Sequence, residues 1–330
     1  MLPRTSESGS IGTGPSMPDD PDFDLRRAAL DEVRVLSRRF DDLIPVDALR
    51  AGFWFDGQRV SFGSFYSGIF RPAQCRGPAA LTLTTSPPKL SRGDPYDDGY
   101  DEVTGSFVYH YRAPRQPTPA ARRAADADNR ALRSAYELVV PLIYFRGIAP
   151  GQYAVVAPIF ITGDDPLQQV VRLQAALPVA DTTPAGLVSG FDVRAYATRE
   201  ALVRLHQHRF RVTVLHAYRE RCAVCALREA ELLQAAHIID DRDPGGAATI
   251  ANGIALCAIH HLAYDRNLMG IDPRGAVHIS RRLLDEIDGP MLRTGLQGFH
   301  GAAILQPRRA ADRPDPGRLE VRFEQFRAVA

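Results

Sequence analysis

The sequence predicts an α+β protein of two folded units joined by a linker, and three observations predict it. At 330 residues the chain exceeds the ~250 residues at which a single core stops growing. From Val46 to about Pro178 it reads as short β-rich runs (RVSFGSFYSGIF, ALTLTT, SFVYHYR, PLIYFRG, YAVVAPIFI) separated by Gly, Pro and Asp turns. From Arg194 to Arg219 the pattern turns helical, and three of the four cysteines, Cys222, Cys225 and Cys257, then collect beside several histidines.

Composition narrows the function. Hydrophobic residues at 45% and charged ones at 24% are ordinary globular values, which excludes a chain disordered throughout. No apolar run approaches the ~18 residues of a membrane span, and the N-terminus lacks the apolar core of a secretory signal. A cytoplasmic protein with no membrane partner is expected. With 40 basic and 39 acidic residues the surface is not uniformly basic, so nucleic acid would be met through local patches. Lys89 is the sole lysine. Arginine favours bidentate phosphate and base-edge contacts, although heavy Ala, Arg, Gly and Pro use follows equally from a GC-rich genome.

Taken in order, residues 1–22 lack hydrophobic periodicity and are expected to form a tail. Leu25, Ala28, Leu30, Val33, Leu36 and Phe40 recur mostly at three or four residues, which predicts an amphipathic helix over Phe23–Phe40 within a leading segment 23–44. Residues 45–180 make the β domain, interrupted by one helix from about Asp128 to Val139. The small, Pro/Gly-punctuated stretch around 181–190 suits a linker, and 191–330 form the second domain. Residues 191–230 hold eight Arg against Asp192, Glu200, Glu220 and Glu229. That excess is either a solvated helix face or a phosphate-contacting surface. Further on, Gly275–Ser280 reads as a strand, Arg281–Ile287 as a helix, and the chain ends in a Pro-broken loop and a helix.

The stretch RCAVCALREAELLQAAHIIDDRDPGGAATIANGIALCAIHHLAYDRNLMGID, residues 221–272, carries the chemistry. Cys222-x2-Cys225 and Cys257-x2-His260 are two knuckles that together make a Cys3His site for one structural Zn2+. The alternative is buried apolar cysteines beside a surface histidine. His237, Asn252, His261 and Asp265 are a second set that the zinc does not use. On a helix starting near Leu256, His261 and Asp265 stand four apart, share a face and can bind one cation together. The turn-rich DDRDPGG after His237 predicts strand, loop, strand, helix.

These residues resemble the HNH nucleases of the ββα-metal fold in their zinc-knuckle form, over roughly residues 215–272. The resemblance implies that His237 is the general base, Asn252 the residue that fixes the loop under it, and His261 a ligand of a catalytic Mg2+ or another divalent ion such as Mn2+. Many members carry Asp or His just before the base as a further ligand. Ala236 stands there in this chain, so Asp265 is assigned as the second protein ligand on its i, i+4 relation to His261. A neutral imidazole can take a proton from water at pH 7, and the cation would stabilise the phosphoryl charge and the leaving 3′-oxygen.

In the first domain, DPYDDGYDEVTGSFVYHYR (residues 94–112) gathers aromatics and acids around turns. With SGIF, ALTLTTS and DNRALRSAYELVVPLIYFRG, it resembles a divergent SRA (YDG) domain, the β-barrel module that flips modified cytosine out of duplex DNA. The resemblance implies that Tyr96 and Tyr109 sandwich the base and that Asp97 or Asp98 reads its Watson–Crick edge. The usual double glycine before the first Tyr is replaced by Asp94-Pro95. The alternative is that these tyrosines fill a barrel mouth and the aspartates cap turns. Arg71, Arg112 and Arg146 would contact DNA phosphates or stay in solvent. A reader followed by a nuclease is similar to the modification-dependent (type IV) restriction endonucleases of bacteria, which implies double-stranded DNA carrying modified cytosine such as 5-methylcytosine as partner. A homodimer is expected, because duplex cleavage needs two cuts and each chain has one nuclease site. Two rival readings are an HNH nuclease whose first domain recognises damaged, unmodified or single-stranded DNA, and a non-cleaving DNA-binding regulator.

Overall fold

A computed structural model describes residues 20–63, 68–87, 99–101, 103–176, 190–241 and 243–329. Its contacts divide the chain into two compact units, one drawn from residues within 20–86, 99–147 and 155–199, the other from 148–154 and 200–329.

The first unit opens with α1 (Phe23–Phe40), whose buried Leu25, Ala29, Val33 and Leu36 recur at four, four and three residues along one face. Asp41, in the left-handed region at φ 50°, ends it and returns its N–H to Ser37 O. Arg26 shares the buried face, and its guanidinium is satisfied there by the Asp20 carboxylate at 3.0 Å and by the carbonyls of Ala80 at 2.6 Å and Pro141 at 3.3 Å. Asp22 is also buried and accepts from the backbone N–H groups of Arg76 and Gly77. The expected tail of 1–22 therefore stops short: residues 20–22 are fixed by ion pairing and hydrogen bonds that hydrophobic periodicity does not register, and 1–19 lie outside the described residues.

Next come β1 (Leu43–Pro45), α2 (Val46–Ala51), and the hairpin of β2 (Phe53–Phe55) and β3 (Gln58–Val60), closed by Asp56-Gly57 with both φ positive, as a two-residue turn requires. The main sheet adds β4 (Ile69–Phe70), β5 (Thr82–Thr85), β6 (Tyr100–Asp101), β7 (Ser106–His110), β8 (Leu142–Ala149), β9 (Gln152–Asp165) and β10 (Val170–Ala175). Its order is β4-β5-β8-β9-β10-β7-β6, with β1 also paired to β9. All eight residues of β8 are buried, as expected of a strand in the middle of a sheet covered on both faces. The β5–β8 pair is parallel, and the crossover between them carries α3 (Pro119–Glu137). That helix begins well before the expected Asp128. Thr118 caps it by accepting from Ala121 N–H, Pro119 opens its first turn, and the early turns contain only Ala, Arg and Asp, so hydrophobic spacing missed them. The expected barrel is an open, curled half-barrel among the described residues: edge strands β4 and β6 make no pair with each other.

The long helix α4 (Gly190–Ala217) starts at the last residue of the expected linker; 181–189 lie outside the described residues. In the second unit, β11 (Leu233–His237) pairs antiparallel with β12 (Gly253–Cys257), setting Leu233 opposite Cys257 and His237 opposite Gly253. α5 (Ala258–Asp265) follows directly, then the hairpin β13 (Met269–Ile271) and β14 (Val277–Ile279), and α6 (Arg281–Leu284), α7 (Pro290–Gly295) and α8 (Pro316–Arg327). The expected helix to Ile287 stops at Leu284. The core of this unit includes Phe210, Val214, Tyr218, Ala236, Ile254, Leu256, Tyr264, Met269 and Leu319. Among the described residues no helix is long and apolar enough to cross a membrane.

Candidate functional site

The turn after α4 presents Cys222 and Cys225, closed by Cys222 N–H to Leu227 O at 2.9 Å and Ala226 N–H to Cys222 O at 2.9 Å. Cys257 caps α5, and His260 stands in that helix's first turn. The four donor atoms lie within 4.8 Å of one another and can hold a metal ion. Cys225 Sγ is 3.9 Å from Cys257 Sγ, and His260 Nδ1 is 3.1 Å from Cys257 Sγ and 3.5 Å from Cys222 Sγ. A tetrahedral ion ~2.3 Å from each sulfur separates two sulfurs by ~3.8 Å, so the donors already stand at coordinating distances. His260 Nε2–H donates to Gly295 O at 2.9 Å, which leaves the Nδ1 lone pair facing the sulfurs. The thiols share protons: a hydrogen bond to Cys222, with burial, pushes Cys257 up to about 11, and the same bond draws Cys222 below its ordinary value. A soft cation would replace those protons.

His237, the last residue of β11, is half-buried. Its imidazole stacks on the Phe210 ring of α4, with centroids 3.9 Å apart and planes 9° from parallel. Its Nε2 is buried without a hydrogen-bond partner among the described residues. Burial pulls the imidazole pKa down, opposed by the negative charges of Asp241 and Asp240. Asn252 is fully buried just before β12 and spends its side chain on the loop after His237: Oδ1 accepts from Ile239 N–H at 3.0 Å, and Nδ2 donates to Ile239 O at 2.9 Å and Ala247 O at 3.1 Å. On α5, His261 Nδ1 meets Gln234 Oε1 at 2.6 Å and His261 Nε2 lies 3.3 Å from Asp265 Oδ2. Helix α5 packs against β11, and the contact between His261 and Gln234 joins the helix to the strand that ends in His237.

Phe210, Gln234 and Gly253 were not anticipated. Strand alternation puts Gln234 on the face of Ala236 and so offered a signal for it. Nothing local to residue 210 announced a stacking partner 27 positions downstream.

The residues expected in the first unit fare differently. Tyr96, Asp97 and Asp98 lie outside the described residues, as does the Asp94-Pro95 pair. Tyr109 is 7% exposed on β7, edge-on to Tyr144 at 6.1 Å, and its hydroxyl donates to Thr84 O at 3.3 Å. Its ring is packed inside the sheet. Arg71 donates to Gly77 O at 2.7 Å and Cys75 O at 2.9 Å, and Arg112 pairs with Asp128. Arg146 is 6% exposed on β8 and lies over the Phe107 ring. A guanidinium on a strand covered on both faces is held inside the fold.

Residues 222–272 match the family model for HNH endonuclease. That span includes both knuckles, His237, Asn252, His261 and Asp265, so the chain carries an HNH endonuclease domain. Among solved structures the chain is similar to one titled "Modification dependent TagI restriction endonuclease", at 16% identity over 75% of this chain and 81% of that chain. The TM-score is 0.27, a value at which two backbones do not superpose as one fold. No curated protein matches the chain.

Proposed function

We propose that the second unit hydrolyses DNA phosphodiesters, with His237 as general base, Asn252 fixing the loop beside it, and His261 with Asp265 holding Mg2+ or Mn2+. The presence of these four residues inside the HNH-matching segment, with His261 and Asp265 side by side on α5 and Asn252 tying the loop after His237, carries the reading. Burial keeps His237 neutral near pH 7, so the imidazole takes a proton from a water that attacks phosphorus. Asn252, tied at both ends of the 239–247 loop, keeps the strand end carrying His237 from shifting. A divalent cation at His261 and Asp265 would supply charge stabilisation for the phosphoryl oxygens and the leaving 3′-oxygen. The Cys3His cluster would hold a structural Zn2+, a choice supported by its thiolate-rich donor set and near-tetrahedral spacing. The test is plasmid cleavage by His237→Ala and His261→Ala. Both should lose cutting while keeping DNA binding and zinc, and near wild-type cleavage by either would remove the mechanism.

The finer proposal is that the first unit is an SRA-like reader that flips modified cytosine, making the whole a modification-dependent restriction endonuclease, acting as a homodimer in the bacterial cytoplasm. Its support is the aromatic and acidic pattern of residues 94–112, together with the aromatic interior of the half-barrel at Phe107, Tyr109 and Tyr144. The burial of Tyr109 favours a second reading, in which the same nuclease serves a first unit that recognises another DNA feature. Matched plain, 5-methylcytosine and 5-hydroxymethylcytosine duplexes with Mg2+ or Mn2+ separate the two. Cleavage confined to modified duplexes supports the reader, and equal cleavage of all three overturns it.

A further inference from the structure

Strand alternation on β11 turns Gln234 and Ala236 toward the same face. Ala236 brings no donor, whereas Gln234, two residues earlier, reaches His261 across that face at 2.6 Å. The contacting atom is the carboxamide oxygen, an acceptor, and the contact therefore suits the tautomer with its proton on Nδ1. With Nδ1 bonded to Gln234, the ring nitrogen left for a cation is Nε2, 3.3 Å from Asp265 Oδ2. Two neighbouring ligands of an octahedral ion with ~2.1 Å bonds stand ~3.0 Å apart, so this N and O need close by only a few tenths of an ångström around a small divalent cation.

We infer that Gln234 is a positioning residue for His261, fixing the imidazole in the tautomer and orientation that open Nε2 beside Asp265 to the cation. The inference rests on the proposed role of His261 as metal ligand. Without the acceptor at Nδ1, the ring is free to rotate and to place its proton on Nε2, and that population cannot bind until it rearranges. Outer partners of this kind change metal affinity by about 10- to 100-fold when removed. Gln234 is exposed and outside the core, so its replacement tests the hydrogen bond without emptying a packed site.

The experiment titrates Mn2+ into the full-length, zinc-loaded protein by calorimetry, comparing wild type with Gln234→Leu, Gln234→Glu and His261→Ala. Gln234→Leu should bind Mn2+ about 10- to 100-fold more weakly with unchanged melting temperature and zinc content. Gln234→Glu, which keeps the acceptor, should restore most of the affinity. In 15N spectra, wild-type His261 should be protonated at Nδ1, and Gln234→Leu should move the proton toward Nε2. If His261→Ala loses Mn2+ while Gln234→Leu binds it like wild type, the positioning role is overturned and the ligand assignment stands. If His261→Ala itself binds Mn2+ normally, the ligand assignment fails and the inference fails with it.

Discussion

Phe210 lies flat against His237, ring centroids 3.9 Å apart and planes within 9°. The pair joins a long helix to the end of a strand, and the residue opposite His237 in the ladder, Gly253, makes the approach possible. A Cβ at Gly253 would stand 2.4 Å from Val214 Cγ2 and 2.9 Å from Phe210 Cζ, so only a residue without a side chain lets α4 come this close. The stacked ring keeps water from one face of the imidazole.

Gly253→Ala should therefore damage both stability and catalysis. Relieving the overlap means shifting α4, at about 1–3 kcal/mol, and the shift moves Phe210 off His237. Urea unfolding and cleavage rates measured on the same preparation check this. An unchanged unfolding midpoint would show that the helix is not held where the contacts place it.

The pH profile should carry the signature of His237. Burial depresses its pKa, and protonation on lowering pH removes the base, so cleavage should persist on descending from pH 7 and fall only below the ordinary imidazole value of ~6.5. Phe210→Leu should expose the ring to water and move that acid limb upward, toward ~6.5. A limb that stays in place in Phe210→Leu would dissociate the stack from the depression.

Zinc should be present at one ion per chain by elemental analysis. Cys222→Ser should lower the melting temperature of the second unit and its zinc content together, because small Cys/His sites contribute metal-binding free energy directly to folding. A folded, active sample without zinc would remove the structural assignment.

Tyr109 calls for Phe rather than Ala. Truncation to Ala empties a site packed against Tyr144, at a cost of about 3–5 kcal/mol that would mask any effect on DNA. Tyr109→Phe loses only the hydrogen bond to Thr84 O, about 1 kcal/mol, and keeps the ring. Its melting temperature should drop slightly while any preference for modified duplex stays intact. A lost preference in the Phe variant would place the hydroxyl itself in base recognition.

The sequence by itself determined what depends on local spacing. The two x2 knuckles prescribe donors within reach of one ion, and Cys222, Cys225, Cys257 and His260 do gather within 4.8 Å. Spacing of four on a helix fixes the His261–Asp265 pair, and the strand–loop–strand–helix order over 233–265 follows from DDRDPGG between two apolar runs. The periodic face of Phe23–Phe40 likewise yields a helix with those bounds. Tertiary structure decided everything that needs two distant segments to meet. It set Phe210 on His237 and Gly295 O on His260, and it carried Arg146 into the interior of a strand buried on both faces. It set Tyr109 edge-on against Tyr144. The physical reason is that periodicity records which face of an element is apolar but not which partner covers it. Only the packed sheet and helix determine whether a given arginine or tyrosine meets water, a ring or a carbonyl.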